Sequence, residues 1–233
     1  MKKTFAYAFR HSLPILLGFF PLGIAYGILM RSIGYNALWT GACSSLVLAG
    51  SLQFLMVSFF GGGVPIITVA ALALLLNSRH LFYGVSFIEK FNSFKKSSKL
   101  FLIFALTDES YSLHCSHKIT EGIREEAAYV LTAALVMLYW VGFSVLGAAV
   151  GSFITFDTTG IDFSLTALFT VILLDQLRGA PSGLPALAAL VSSLLCIVLF
   201  GADSFILPSL ILTVAALTLL RRRIEPEKKE AET

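Results

Sequence analysis

Apolar residues in this chain come in long runs divided by short polar punctuation. The runs cover 13–30, 37–60, 128–150, 163–177, 184–200 and 204–220. A bilayer core about 30 Å thick asks for roughly 17 to 25 apolar residues per crossing. Hydrocarbon offers the backbone no partner but itself, so each run predicts a membrane-spanning helix. The shorter runs need interfacial flanks or a locally thinner bilayer. Turn signals separate the runs: Gly34, Tyr35 and Asn36 after the first, Gly61, Gly62, Gly63 and Pro65 after the second, and Gly179-Ala-Pro-Ser-Gly-Leu-Pro185 later.

Two further segments depart from the pattern. In 64–88 an apolar stretch meets Asn77-Ser-Arg-His80 and then resumes; in 100–116 an apolar stretch runs into Thr107-Asp-Glu-Ser-Tyr111. Discontinuous helices with polar breaks are a recurrent way of building substrate and ion sites in transporters. The pattern therefore predicts an all-α, polytopic membrane protein with about six full spans plus two broken or re-entrant helical segments. It is expected to form a single transmembrane bundle over 1–224, with a short charged cytoplasmic tail at 225–233. No direct sequence repeat is evident, although internal symmetry would place the two odd segments in equivalent positions of two halves.

Composition agrees with this reading. The 233 residues are 57% hydrophobic and 13% charged, against about 25% charged in soluble domains, and the mean hydropathy is +0.84. The net charge of +3 matters less than where the charge sits. Lys2, Lys3 and Arg10 precede the first run, Lys90, Lys95, Lys96 and Lys99 fill the loop 89–99, and Arg221, Arg222 and Arg223 follow the last run. Lysine and arginine accumulate on the cytoplasmic side. If both odd segments dip in and return, the N-terminus, loop 89–99, loop 118–126 and the C-terminus are all cytoplasmic, and Arg31 alone is left outside. If both cross, the ends stay inside and the four lysines go outside. The first arrangement accounts for more of the charge.

Other classes fall away. The basic residues form no stripe interleaved with aromatics, so nucleic acid is not an expected partner. Cys43, Cys115 and Cys196 are too far apart for a disulfide framework or a metal-ligand spacing. The first apolar run follows basic residues as a signal peptide does, but it is long, contains Pro14 and Pro21, and lacks a small-x-small cleavage site, which predicts a retained helix. The sequence holds no phosphate-cradling loop, no H-E-x-x-H and no G-x-S-x-G, so no enzyme activity and no metal are expected.

Candidate chemistry lies in the odd segments. Arg79 and His80 fall near or past mid-membrane depth, where a charge costs about 2.5 to 3.5 kcal/mol on insertion scales. A guanidinium grips a carboxylate through parallel hydrogen bonds; the competing reading is snorkelling or a structural ion pair. Asp108 and Glu109 follow an apolar stretch, and a carboxylate in low dielectric either finds a cation or takes up a proton. They are candidates to pair with Arg79, to meet a substrate ammonium, or to couple transport to protons, against the alternative of an interfacial amphipathic helix. Ser51, Gln53 and Asn77 are polar groups within apolar segments, suited equally to helix–helix hydrogen bonds and to substrate contact. Asp175, Gln176 and Arg178 read as a helix boundary, and His114 and His117 as interfacial.

These elements resemble the AzlC family, the large subunit of bacterial branched-chain amino-acid exporters. The likeness is carried by Phe9-Arg-His-Ser-Leu-Pro14 with Gly18-Phe-Phe-Pro-Leu-Gly-Ile-Ala-Tyr-Gly27, by Ala49-Gly-Ser-Leu-Gln-Phe54, by Asn77-Ser-Arg-His-Leu-Phe-Tyr83 and by Thr107-Asp-Glu109. The third is the most specific. The resemblance implies export of leucine, isoleucine, valine and similar amino acids across the bacterial cytoplasmic membrane and a small hydrophobic AzlD-type partner subunit; no cofactor is expected, and proton coupling rests on the carboxylates Asp108 and Glu109 alone. The resemblance also raises the candidacy of Arg79, His80, Asp108, Glu109, Asn77, Gln53, Ser51 and Tyr83 as substrate-binding residues, with Phe54, Phe82 and Tyr83 against the substrate's side chain. The alternatives are a channel or permease for another small solute, a non-transporting membrane assembly subunit, and, weakest, an intramembrane enzyme.

Overall fold

A computed structural model describes residues 2–60, 64–119, 121–153, 170, 173–174, 177–178, 183–201 and 205–224. The described residues are helical, with no strand. They fall in two compact units, Met1–Ile161 and Asp162–Thr233.

In the first unit, α1 (Lys2–Ser32) and α8 (Glu125–Gly151) form the central pair. They run in the same direction, because Thr4 meets Arg124 at one end and Arg31 meets Gly151 at the other. Without a hydrophobic drive between helices in lipid, close backbone approach is what holds such a pair. Gly23, Gly27 and Gly147 supply it: a Cβ on Gly27 would lie 2.1 Å from the Ser144 carbonyl oxygen, and one on Gly147 would lie 2.3 Å from that of Ile24. Pro14 and Pro21 sit inside α1 without ending it.

The expected single span over 37–60 is instead a hairpin of two short helices, α2 (Ala37–Val47) and α3 (Gly50–Phe60). Asn36 caps α2 by accepting from the Leu38 and Trp39 amides. The helix then stops at Leu48, whose φ of 44° is left-handed. The chain turns back, bringing the Phe60 ring to 4.9 Å from Tyr35, where α2 began. Irregular backbone at membrane depth is tolerated where protein covers it. Leu48 and Ala49 are buried, and the Cys43 carbonyl accepts from Gln53 Nε2 at 2.9 Å.

The opposite correction applies to 64–88. The expected interruption at 77–80 is absent: α4 (Ile66–Ser86) runs through it unbroken. Ser78 returns its hydroxyl to the Leu75 carbonyl at 2.7 Å, and the Arg79 charge is met by another segment, so the backbone has no reason to open.

The segment 100–116 is broken, as expected. After α5 (Ile88–Asn92), α6 (Lys96–Phe104) ends at Ala105, and α7 (Asp108–Cys115) restarts from a capping box in which Thr107 and Ser110 bond each other's amides. Both outer ends of this second hairpin lie beside the start of α8. Ser98 Oγ donates to Glu126 at 2.5 Å, and the Tyr129 hydroxyl donates to the His114 carbonyl at 3.4 Å. Lys90 pairs with Glu125 there. Phe87, Phe91, Leu102, Leu106, Tyr129 and Ala133 form the core at this end.

The two hairpins therefore enter the unit from opposite ends. In the second unit, α9 (Leu184–Phe200) packs on α10 (Ile206–Ile224), covering the expected runs at 184–200 and 204–220. The expected span at 163–177 and the tail at 225–233 lie almost wholly outside the described residues. Lys2–Ser32, Ile66–Ser86 and Glu125–Gly151 are, among the described residues, long and apolar enough to cross a membrane.

Candidate functional site

Three helices converge on one ion pair. Arg79 comes from α4, Ser51 from the first turn of α3, and Asp108 is the first residue of α7. Arg79 Nη2 lies 2.8 Å from Asp108 Oδ2 and donates to Ser51 Oγ at 3.0 Å. Tyr83 stands one helical turn after Arg79, so both face the same carboxylate; its hydroxyl donates to Asp108 Oδ1 at 2.7 Å. Asp108 is further favoured by the positive end of the α7 dipole. The Tyr83 ring stacks on Tyr111 at 4.4 Å and meets the edge of His80 at 5.7 Å.

The pair is accessible: both side chains are 36% exposed. Arg79 Nε and Asn77 Oδ1 are shielded and have no hydrogen-bond partner among the described residues. A guanidinium with unused donors beside a shielded amide oxygen can engage a polar ligand without first dismantling the site.

Other expected residues are placed differently. Gln53 is fully buried and committed at both ends: Trp140 Nε1 donates to its Oε1 at 2.5 Å, and its Nε2 donates to the Cys43 carbonyl. It holds the α2–α3 turn in shape. Phe54 is buried against Tyr26 and Trp140, whereas Phe82 is 72% exposed. Glu109 lines a small cavity with Phe19, Leu48 and Trp140. Arg178 is exposed, and Asp175 and Gln176 lie outside the described residues.

One cluster was not foreseen. His114 is buried, and His114 and His117 join a stack with Tyr7, His11 and Tyr129. The Tyr7 hydroxyl lies 3.1 Å from His117 Nδ1, and His11 Nε2 lies 2.9 Å from the Leu113 carbonyl oxygen. Burial, helped by the neighbouring His11, pushes the His117 imidazole down to about 4. The signal in the sequence is weak, because Tyr7 and His11 lie more than a hundred positions before His114, His117 and Tyr129.

The fold defines a class: a multi-pass α-helical membrane protein with an ion pair held between broken and continuous helices. The family described as AzlC protein matches residues 14–154, and the chain belongs to the AzlC family. The chain is similar to "Branched-chain amino acid transport protein AzlC" of Bacillus subtilis, 37% identical over 222 residues that cover 95% of this chain and 87% of that protein. It is similar to a membrane protein of Helicobacter pylori whose name records no function, 32% identical over 223 residues, 96% of this chain and 97% of the relative. It is also similar to "Inner membrane protein YgaZ" of Escherichia coli, 27% identical over 214 residues, 89% and 87% of the two chains. No solved structure matches.

Proposed function

We propose that this chain is the exporting subunit of a secondary transporter for leucine, isoleucine, valine and close analogues. It works in the bacterial cytoplasmic membrane with a small hydrophobic AzlD-type partner subunit. The observation that carries the reading is the accessible Arg79–Asp108 pair, braced by Ser51 and Tyr83 at the meeting of α3, α4 and α7. The name of the Bacillus subtilis relative supports the substrate class.

Arg79 takes the substrate carboxylate by a charge-assisted bond. Arrival of the substrate releases Asp108, which in low dielectric becomes a proton acceptor and offers a route to proton coupling. About six helices cross, and two broken segments re-enter. The α2–α3 and α6–α7 hairpins move against the spans to expose the site alternately. Both chain ends lie in the cytoplasm. The reaction is transport, with no covalent step and no cofactor.

The test is efflux of labelled leucine and valine from cells expressing the chain with its small partner, at matched membrane levels. Wild type is expected to accelerate efflux over empty cells and Arg79→Ala to lose at least tenfold of that rate, the scale of a charge-assisted bond of about 1.5–3 kcal/mol. Efflux no faster than from empty cells removes this substrate class; efflux retained by Arg79→Ala removes the site.

A further inference from the structure

The short helix α7 is fixed at both ends. Its first residue, Asp108, belongs to the ion pair, and its last turn belongs to the histidine–tyrosine cluster between α1 and α8. We infer that this cluster is a proton-operated latch: neutral His11, His114 and His117 hold the end of α7 against α1 and α8, and protonation from the cytoplasmic side releases it. This rests on the transport reading above and names a regulation of the Arg79–Asp108 site.

The bond to His117 requires a neutral ring. The Lys118 amide donates to the Tyr7 hydroxyl at 3.0 Å, which leaves the hydroxyl's own proton for His117 Nδ1 at 3.1 Å. A ring nitrogen accepts only in a neutral imidazole. His11 Nε2 faces the Leu113 carbonyl oxygen at 2.9 Å and ties α1 to the last turn of α7. His114 is buried and stacked on Tyr129 at 4.8 Å, and neither of its ring nitrogens has a hydrogen-bond partner among the described residues. A cation at that position would be buried without compensation.

The surroundings oppose a charge as well. The His117 ring centre lies 4.6 Å from that of His11 and 5.5 Å from that of His114, so a second proton sets like charges side by side. Lys3 and Arg10 stand beside Tyr7 and His11 on α1, and Lys118 and Arg124 flank the cluster. One carboxylate, Glu125 of α8, faces His117, but Lys90 of α5 takes it, with its ammonium 5.8 Å from the centre of the Tyr129 ring. The other titratable groups beside these rings are the phenols of Tyr7 and Tyr129 and the Cys115 thiol. A phenol or thiol becomes a counter-charge only by losing its own proton, which acid opposes. Protonation and the latched arrangement therefore exclude each other.

Release at one end of α7 is felt at the other. The helix has eight residues and restarts after the break at Ala105, so it pivots as one piece. While latched, it keeps Asp108 on Arg79 and Tyr83. Once released, it gives up Asp108 more readily to a substrate carboxylate arriving at Arg79, and export rises as the cytoplasm acidifies. The scale follows from His117, which burial pushes down to about 4 from an ordinary 6.5. A lowered imidazole favours the latched form above 6.5 and ceases to favour it as the pH falls toward 4. Between pH 7.5 and 5.5 this one ring moves the latch about tenfold toward release.

Amide hydrogen exchange of the full chain in nanodiscs, corrected for the intrinsic effect of pH, reads the latch without transport. The Lys118 amide is the direct reporter, because Tyr7 holds it. Its exchange in wild type is expected to rise about tenfold from pH 7.5 to 5.5. The double variant His114→Phe/His117→Phe keeps flat rings that take no proton and is expected to lose the rise. His114→Phe alone, which removes no hydrogen bond of that ring, is expected to reduce it and decides the matter if the double variant does not fold. Unchanged protection in wild type, or the full rise in either variant, overturns the latch. Uptake of labelled leucine into inverted membrane vesicles carrying the chain and its small subunit, with both faces clamped at the same pH, then reads the regulation. Wild type is expected to run up to about tenfold faster at pH 5.5 than at 7.5, and the double variant at one rate. A wild-type rate that stays level while Lys118 exchange rises overturns the regulation. No uptake at either pH fails the transport reading instead and leaves the exchange result to decide the latch.

Discussion

An arginine within an apolar helix needs partners that repay its lost hydration, and Arg79 has them in Asp108 and Ser51. That need is why Arg79 and Asp108 stand out from residue types alone: few other positions in an apolar run carry a full charge. Neutral polar residues are less telling. Gln53 fits a helix contact and a ligand contact equally well in one dimension, and only Trp140 and the Cys43 carbonyl show how its amide is spent. The histidine stack adds a titration. His117 has a folded-state value of about 4 against an ordinary 6.5. The unfolded chain therefore binds this proton more readily. Stability is complete above about 6.5 and falls as the pH drops toward 4. Thermal unfolding in nanodiscs is expected to shift downward between pH 7 and 5, and His117→Asn to flatten that slope; an unchanged slope would remove the cluster as its source.

At the scale of elements, the apolar runs at the ends of the first unit match helices closely. The run 128–150 becomes α8, Glu125–Gly151, and 13–30 lies within α1. The runs whose fate depends on neighbours do not match. Nothing in Val47-Leu48-Ala49 says turn; the break is tolerated because Leu48 and Ala49 are buried and Gln53, bonded to Trp140 and to the Cys43 carbonyl, ties the two helices together. Conversely, Asn77-Ser-Arg-His80 has the polarity of a break but stays helical because Asp108 comes to it. The α1–α8 seam makes a sharp test. Gly27→Leu forces side-chain atoms onto the α8 backbone, and overpacking of this kind costs about 1–3 kcal/mol or more. Gly142→Ala meets nothing within 4 Å and is expected to be neutral or to gain up to about 1 kcal/mol in helix propensity. Unfolding of the two variants in a denaturing detergent titration, side by side, separates seam packing from a general intolerance of substitution.

For the molecule as a whole, the arrangement of ends decides which side of the membrane each loop faces. Lys2, Lys3 and Arg10 open α1, Arg124 immediately precedes α8, and Lys90 pairs with Glu125, so these basic residues share one end of the first unit, with Lys95, Lys96 and Lys99 at the start of α6 there. Arg31 is at the other end, beside Gly151. Lysine-rich ends face the cytoplasm, which predicts that a cysteine placed at Lys95 resists an impermeant thiol reagent added outside intact cells, while one placed at Leu38 reacts. Ready labelling at Lys95 would invert the proposed orientation. The succession of α1, a hairpin from one end, α4, and a hairpin from the other is that of two helix–hairpin halves of opposite direction. In that succession the hairpins over 37–60 and 100–116 hold corresponding places.

Hydropathy, a one-dimensional sum, was enough to determine that this chain is helical, belongs in a bilayer, and carries costly charges at Arg79 and Asp108, because burial in hydrocarbon penalises each residue according to its own chemistry. Tertiary structure alone decided which apolar run breaks, which polar run stays whole, and which carboxylate faces a cavity. Those outcomes depend on what arrives from elsewhere in the chain: Trp140 bonded to Gln53, Asp108 beside Arg79, and two hairpin tips meeting over α8.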